Sequence, residues 1–169
     1  SVTTLSAMAL LFSMTCAQAG PVFDRIKNAK TYKIGYRAAG APFSYDGPNG
    51  KAVGYGIEVC QKIALALQKE LGLDTLNIEY IPLTAGNRIE KVKNGEVDIE
   101  CANTTNSKAR REQVAFGLTY YYAAAKLLVR KGEGITGMDG VNGKKLAVFK
   151  GSTGEQIGEM RKRGGAPIV

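Results

Sequence analysis

Short apolar runs alternate with segments of helical periodicity along most of this chain, and this alternation restricts the fold more than any other feature. The apolar runs predict strands over residues 31–36, 76–81, 97–101 and 146–150, with a longer extended segment over 120–130. The helical patterns cover residues 55–71, 87–94 and 153–163. Such alternation is typical of α/β layer folds with a largely parallel sheet. Ligands of these sheets lie beyond the carboxyl ends of the strands.

The longest predicted helix carries its own boundary signals. Val59, Ile63, Leu67 and Leu71 recur at helical spacing and are expected to form its buried stripe. Gly72 follows the last of them and is expected to end the helix, because glycine readily adopts the left-handed conformation found at helix C-termini.

Polar loops follow four of the predicted strands and contain the candidate binding residues. These residues are Arg37, Asn87, Arg88, Asn103, Thr104, Thr105, Arg110, Gly151, Ser152 and Thr153. A guanidinium matches a carboxylate through two parallel hydrogen bonds, and a helix N-terminus offers unpaired N–H groups to an anion. Several arginines at one edge of a sheet therefore indicate a ligand with two anionic ends.

Each of these residues also has a plainer interpretation. The turn after residue 101 can be an ordinary helix start with Asn or Thr as its N-cap. Arg88 can be a surface charge on a short helix, and Arg37 can form a salt bridge across its loop. The sequence alone leaves these alternatives open.

The composition removes several classes of function. The chain has no histidine, which rules out Ser–His, Cys–His and His-ligated metal sites. Gly54-Tyr-Gly56 lacks the third glycine of a dinucleotide fingerprint, and Gly151 does not begin a P-loop. We therefore predict no metal and no cofactor, so an enzyme would depend on carboxylates or lysine. The net charge of +8 suits an anionic partner, but no basic run is interleaved with aromatics, so nucleic acid is not expected.

The N-terminal residues are typical of a secretory signal peptide. Residues 5–16 are apolar and uncharged, but too short to span a bilayer. An Ala-Gln-Ala motif at 17–19 fits signal peptidase, so cleavage is expected before Gly20. Export would place Cys60 and Cys101 in an oxidising compartment, where they can pair if their geometry allows it. With no initial Met and a C-terminus that leads toward another strand, we expect a piece of a longer protein.

Short motifs follow one another in a characteristic order from Tyr32 onward. They are Ile34-Gly-Tyr-Arg37, Ala41-Pro-Phe-Ser-Tyr45, Gly54-Tyr-Gly-Ile-Glu58, Asn87-Arg88-Ile89, Gly95-Glu-Val-Asp98, the spacings from Thr105 to Arg110 and from Arg110 to Phe116, Leu127-Leu-Val-Arg-Lys-Gly132, Gly143-Lys-Lys-Leu146 and Gly151-Ser-Thr153. Together they resemble the periplasmic solute-binding proteins of polar amino-acid ABC importers. Arg37, Asn87-Arg88 and Glu100-Cys101 with Thr104-Thr105 are most similar to the glutamate/aspartate-binding members.

This resemblance implies a type II periplasmic-binding-protein fold of the α/β class, with two lobes of βα units joined by a hinge and the second lobe truncated here. Residues 1–19 would be the signal peptide, 20–122 the first lobe, and 123–169 the hinge and the start of the second lobe, with the hinge strand near 122–126. It also implies a non-catalytic, monomeric periplasmic protein. That protein would capture an amino acid, glutamate or aspartate, and deliver it to the membrane permease of an ABC transporter.

The resemblance also implies a role for each candidate side chain. Arg110 would bind the α-carboxylate of the ligand, helped by Thr105 and, across the cleft, by Thr153. Arg37 and Arg88 would face the ligand side chain.

Phe43 or Tyr45 would line the wall of the cleft, although plain loop packing explains them equally well. Asn103 is also a binding candidate, since its amide can donate to a carbonyl or a carboxylate. Asn103 and Ala85 replace the small hydroxyl residues that are usual in members with acidic ligands.

Two other functions stay open. One is an enzyme similar to cyclohexadienyl dehydratase on the same fold, and the other is the ligand-binding ectodomain of a sensor.

Overall fold

The computed structural model describes residues 20–164, so the predicted signal peptide at 1–19 lies outside the described part of the chain. The helices are α1 Pro21–Ala29, α2 Tyr55–Glu70, α3 Arg88–Lys93, α4 Lys108–Arg111 and α5 Thr153–Arg163. The strands are β1 Thr31–Tyr36, β2 Ala39–Gly40, β3 Ser44–Asp46, β4 Ala52–Val53, β5 Asn77–Pro82 and β6 Ile99–Glu100. Single 3₁₀ turns lie at Pro48–Gly50 and Met138–Val141.

A parallel sheet in the order β5-β1-β6 organises the first part of the chain. Its central strand is the most buried one, as expected when both edges are paired: Ile34 is fully buried, between Tyr80 of β5 and Ile99 of β6. Parallel strands need crossover connections, and α2 and α3 supply helical ones. The carboxyl ends of β1 and β6 therefore open toward the same edge, which confirms the α/β prediction.

Helix α2 covers the sheet with a face that matches the predicted one only in part. Leu67 and Leu71 of the predicted stripe pack against the core. Ile63 is 40% exposed, so the prediction is wrong there, and Ile57, Cys60 and Ala64 are the buried residues instead. Both stripes have helical spacing, and the small side chains at 60 and 64 allow the helix to approach the sheet closely.

The end of α2 follows the prediction. Gly72 has φ +63°, and its N–H donates to the carbonyl of Lys69 at 3.1 Å. The N–H of Leu73 donates to the carbonyl of Gln68 at 3.0 Å. These two bonds form a Schellman motif, which satisfies carbonyls that the helix leaves unpaired.

Helix α1, which the sequence patterns did not predict, is attached to the sheet by one buried carboxylate. Asp98 Oδ1 pairs with Arg25 of α1, and its Oδ2 accepts the backbone N–H of Lys33 in β1 at 2.8 Å. The side chain of Asp98 is 2% exposed. Asp98 therefore extends the β1–β6 contact and joins it to α1.

The loop predicted after β1 contains a small antiparallel sheet, β2-β3-β4. Its anchor is Ser44, which is fully buried. The Ser44 hydroxyl accepts the backbone N–H of Arg37 at 2.7 Å and donates to the carbonyl of Arg37 at 3.0 Å. This pair of bonds holds the backbone of Arg37 at the carboxyl end of β1.

Cys60 and Cys101 form a disulfide, with their Cα atoms 6.3 Å apart. The sequence left this pairing open. The bond joins α2 to the residue that follows β6, and so it fixes the strand end that leads into Asn103 and Thr105.

The later part of the chain departs from its prediction. Neither 120–130 nor 146–150 is paired as a strand among the residues that the structure describes, so the strand predicted at 146–150 is wrong here. A β-strand requires hydrogen bonds to a neighbouring strand, and no described segment pairs with either of these two. Helix α5, whose caps are local, spans the predicted residues. The proposed lobe boundary at 122 stays a prediction.

Candidate functional site

A cavity of about 170 Å³ lies where the polar loops converge. It is lined by Arg37, Ala39, Arg88, Asn103, Thr105, Phe149, Ser152 and Thr153. Six of the candidate binding residues are in this lining: Arg37, Arg88, Asn103, Thr105, Ser152 and Thr153. They come from the end of β1, the start of α3, the turn after β6 and the start of α5. The topology thus gathers groups that are more than one hundred positions apart in sequence.

Arg88 is the most unusual group in the lining. Its side chain is only 5% exposed, so the alternative of a surface helix charge is wrong. Its nearest anion is Glu100, whose Oε1 lies 4.0 Å from Nη1, beyond hydrogen-bond distance. Within residues 20–164, its Nε and Nη1 have no hydrogen-bond partner. A buried guanidinium with unused donors is costly unless an anion pairs with it.

Glu100 lies among the guanidiniums without lining the cavity. Thr104 donates its hydroxyl to Glu100 Oε1 at 2.8 Å. Burial raises the pKa of Glu100, and that rise is opposed by the Thr104 hydrogen bond and by Arg88, Arg37 and Arg110. The sequence pointed to Glu100 in two ways, without indicating a role in binding. Glu100 belongs to the motif that is most similar to the glutamate/aspartate-binding members, and it lies just before the polar turn at a strand end.

The electrostatics of Arg88 reflect the same cluster. Burial lowers its pKa, the negative charge of Glu100 opposes that shift, and the positive charges of Arg110 and Arg37 add to it. Three guanidiniums and one carboxylate carry a formal charge of about +2, so this part of the molecule favours an additional anion.

Arg110 bridges two segments of the chain. It is 6% exposed. Its Nη1 donates to the carbonyl of Thr105 at 3.0 Å, and its Nη2 donates to the carbonyl of Gly151 at 3.1 Å. It does not line the 170 Å³ cavity, but it holds together the two segments that contribute Thr105 and Thr153. Its neighbour Arg111 donates to Asn106 at the surface.

The segment before α5 makes a close backbone approach to the β5–α3 loop. Gly151 has φ +75°, and a Cβ there would lie 2.8 Å from the carbonyl oxygen of Ala85. Glycine is therefore required both by conformation and by space. The N–H of Gly151 donates to Glu155 Oε2 at 2.7 Å, and Ser152 Oγ accepts the N–H of Glu155 at 3.1 Å. The two bonds form a variant of the capping box, in which Glu155 accepts the N–H of the residue before the N-cap Ser152, and they orient Ser152 and Thr153 at the start of α5.

Phe43 lies apart from the cavity lining. Its ring packs against Tyr121 and Tyr120, with centroids 4.8 and 6.5 Å away. Its carbonyl accepts the N–H of Gly56 at 2.8 Å. Tyr45 does not line the cavity either. These contacts match the loop-packing alternative, and a ligand-binding role for Phe43 stays a prediction. Two residues of the lining, Ala39 and Phe149, were not among the predicted binding residues.

A second, more open cavity of about 430 Å³ adjoins the first and shares Arg37, Ala39 and Phe149 with it. Ala85, one of the departures from the family pattern, lines this second space. The side chain of Arg37 forms no salt bridge within the described range, so its charge is available to either cavity.

Among residues 20–164, no group of three or more His, Cys, Asp or Glu side chains could hold a metal ion. None of the described helices is long and apolar enough to cross a membrane.

Comparison with known proteins places this geometry in a class. Residues 32–164 match the family model for bacterial extracellular solute-binding proteins, family 3. The solute receptor for L-cysteine of Neisseria gonorrhoeae superposes with a TM-score of 0.75 at 28% identity, covering 87% of this chain and 58% of that one. AncCDT-1, an ancestral amino acid-binding protein described as a precursor of cyclohexadienyl dehydratase, superposes with a TM-score of 0.70 at 30% identity, covering 86% and 62%. The fold is thus that of type II periplasmic binding proteins, as predicted.

The chain belongs to the bacterial extracellular solute-binding proteins, family 3. Among its relatives, the L-glutamate/L-aspartate-binding protein of Pseudomonas aeruginosa is 38% identical over 134 residues, which cover 79% of this chain and 44% of that protein. The chain spans about half the length of the glutamate/aspartate-binding relatives that it matches.

Proposed function

We propose that this chain carries much of the ligand site of an extracytoplasmic solute-binding protein, which captures glutamate or aspartate for an ABC importer. The protein acts without catalysis, as a monomer in the periplasm, and hands its ligand to a membrane permease. Its signal peptide is cleaved before Gly20. Relatives named as glutamate/aspartate-binding proteins support the class of ligand.

The unpaired guanidinium of Arg88 carries this proposal. Its Nε and Nη1 are buried and without hydrogen-bond partners in the described chain, and Arg88 borders a cavity also lined by Arg37. A ligand carboxylate accepts charge-assisted hydrogen bonds from such a guanidinium. A neutral amide offers only one carbonyl oxygen and leaves desolvated positive charge unmatched. The site therefore favours an acidic side chain over its amide.

Arg110 is proposed to hold the α-carboxylate at the opposite end of the ligand. Its contacts with Thr105 and Gly151 orient it beside two hydroxyl-bearing residues of the lining, Thr105 and Thr153. Asn103 adds an amide that can donate to the ligand side chain. Arg37 and Arg88 at one end and Arg110 at the other fit a ligand with two carboxylates.

Calorimetric titration of the complete protein tests the proposal. Glutamate and aspartate should bind more tightly than glutamine and asparagine. Arg88→Ala should reduce the affinity for the acids by about thirtyfold or more, because removing one partner of a desolvated charge pair costs about 2–5 kcal/mol. Its effect on glutamine should be smaller.

Lys93→Ala is the matched control, because Lys93 is an exposed cation on the same short helix. It removes the same formal charge without touching the cavity, and the acid-over-amide preference should persist. Tighter binding of glutamine or of a basic amino acid by the wild-type protein would refute the acidic specificity while leaving amino-acid capture intact.

The enzyme alternative has one observation in its favour, the likeness to an ancestral binding protein described as a precursor of cyclohexadienyl dehydratase. The sequence relatives are named as binding proteins, which favours capture over turnover. Release of a new product during prolonged incubation with a cyclohexadienyl acid would overturn the proposal. A sensor ectodomain would be revealed by a membrane span and kinase domain in the same reading frame.

A further inference from the structure

We propose that Glu100 is a specificity-determining residue, because its negative charge behind Arg88 limits how strongly the site prefers an acidic amino acid to the corresponding amide. This inference rests on the proposed function and adds to it a residue that does not line the ligand cavity.

The geometry gives Glu100 its position behind the lining. It is the last residue of β6, opposite Gly35 of β1, and its side chain is 12% exposed. Its Oε1 accepts the Thr104 hydroxyl at 2.8 Å and lies 4.0 Å from Arg88 Nη1. At that separation the carboxylate acts on Arg88 by charge rather than by a hydrogen bond. The donors of Arg88 therefore stay available while part of its charge is compensated.

Charged and titratable groups from four segments face Glu100. Arg88 comes from α3, Arg37 from the end of β1 and Arg110 from α4. Tyr120 comes from the segment after α4, and burial, together with the charge of Glu100, raises the pKa of its hydroxyl. A ligand carboxylate entering beside Arg88 is attracted by three guanidiniums and repelled by Glu100. A ligand amide carries no net charge, so both the attraction by the guanidiniums and the repulsion by Glu100 are weaker for it.

The first consequence concerns selectivity. Glu100→Gln keeps the size of the side chain and an acceptor for Thr104 but removes the charge. Two unit charges about 12 Å apart at an effective dielectric of about 20 interact by an amount equivalent to about tenfold in affinity, and closer charges by more. The variant should therefore bind glutamate at least about tenfold more tightly than the wild type, with glutamine affinity little changed. A residue that only supports the structure would weaken both ligands when replaced.

Glu96→Gln is the matched control. Glu96 pairs with Lys91 at the surface and its side chain is 47% exposed, so the same change of charge should leave both affinities and their ratio unaltered.

The second consequence is proton uptake, and its measurement needs no variant. Because burial raises the pKa of Glu100 and a ligand carboxylate raises it further, glutamate binding at mildly acidic pH should draw a proton from the buffer. Titrations in buffers of different ionisation enthalpy measure that proton. Glutamine should draw less, Glu100→Gln should abolish the uptake, and Thr104→Val should move it to higher pH by removing a bond that stabilises the carboxylate.

The outcomes separate the two proposals. If the wild-type protein binds no acidic amino acid, the proposed function and this inference both fail. If it binds glutamate without proton uptake, or if Glu100→Gln alters glutamate and glutamine affinities equally, this inference fails and the proposed function stands. If Glu100→Gln does not fold, the inference stands or fails on whether the wild-type protein takes up a proton when it binds glutamate.

Discussion

Replacing Asp98 should destabilise the protein more than replacing any exposed acidic residue. Its carboxylate is 2% exposed, pairs with Arg25 of α1 and accepts the backbone N–H of Lys33 at 2.8 Å. Asp98→Ala removes both contacts at once. The N–H of Lys33 loses its partner inside the fold, and α1 loses its polar attachment to the sheet.

The size of the loss follows from burial. Breaking a buried ion pair costs about 3–5 kcal/mol. The side chain of Arg25 is 36% exposed, so water can solvate it after the change and the lower end of that range, about 3 kcal/mol, is expected. This is a large fraction of the roughly 5–15 kcal/mol that stabilises a typical domain. Asp98→Asn keeps an acceptor for Lys33 and should lose less.

Urea unfolding followed by circular dichroism measures the effect. With a slope of about 1–3 kcal/mol per molar urea, Asp98→Ala should lower the midpoint by roughly 1–3 M. Glu96→Ala is the control, because its pair with Lys91 is exposed and should contribute less than about 1 kcal/mol. Equal midpoints for Asp98→Ala and Glu96→Ala would refute the reasoning, since burial would then not decide the strength of the pair.

Three further outcomes are expected. Arg110→Ala should weaken every amino-acid ligand tens- to thousands-fold, as about 2–5 kcal/mol implies, whereas Arg111→Ala should change little; titration of both variants checks this. Burial raises the pKa of Tyr32 from 10.0 to about 12, so its contribution to stability is complete below pH 10 and is lost as the pH rises through 12. Between pH 9 and pH 11, the free energy of unfolding of Tyr32→Phe should therefore fall by about 1 kcal/mol less than that of the wild type, as measured by urea unfolding. Gly54→Ala should cost about 3 kcal/mol, because Gly54 has φ +125° and a Cβ there would lie 2.6 Å from a backbone carbonyl oxygen. Gly50→Ala should cost about 1–2 kcal/mol, since Gly50 has φ +68° with nothing within 4 Å of a Cβ; similar thermal midpoints for the two variants would contradict the steric argument.

Features governed by local sequence were predicted most accurately. Strand β1 and helix α5 have the bounds that were expected, and α2 ends at Gly72 by a Schellman motif. A cap, a turn glycine or a hydrophobic period involves residues within a few positions of one another. All the residues that form such a signal are close together in the sequence, so the signal can be interpreted without knowledge of the tertiary fold.

Features that depend on distant partners were missed or left open. Helix α1 was missed although its nine residues are strongly amphipathic. The pairing of its Arg25 with Asp98, which lies 73 positions away, could not be predicted from local sequence. The Cys60–Cys101 bond was an open possibility until the fold placed α2 against the end of β6. The strand predicted over 146–150 has the right composition but no described neighbour to pair with.

For the binding site, the residue types specify which chemical groups are present: arginines and hydroxyls at strand ends, without histidine. Which of these groups act together depends on the fold. It buried Arg88 with unpaired donors, set Glu100 behind it, and turned Arg110 toward the carbonyls of Thr105 and Gly151. Burial, desolvation and charge coupling depend on distances between groups remote in the chain. The residue type specifies the charge, and the fold specifies what that charge can bind.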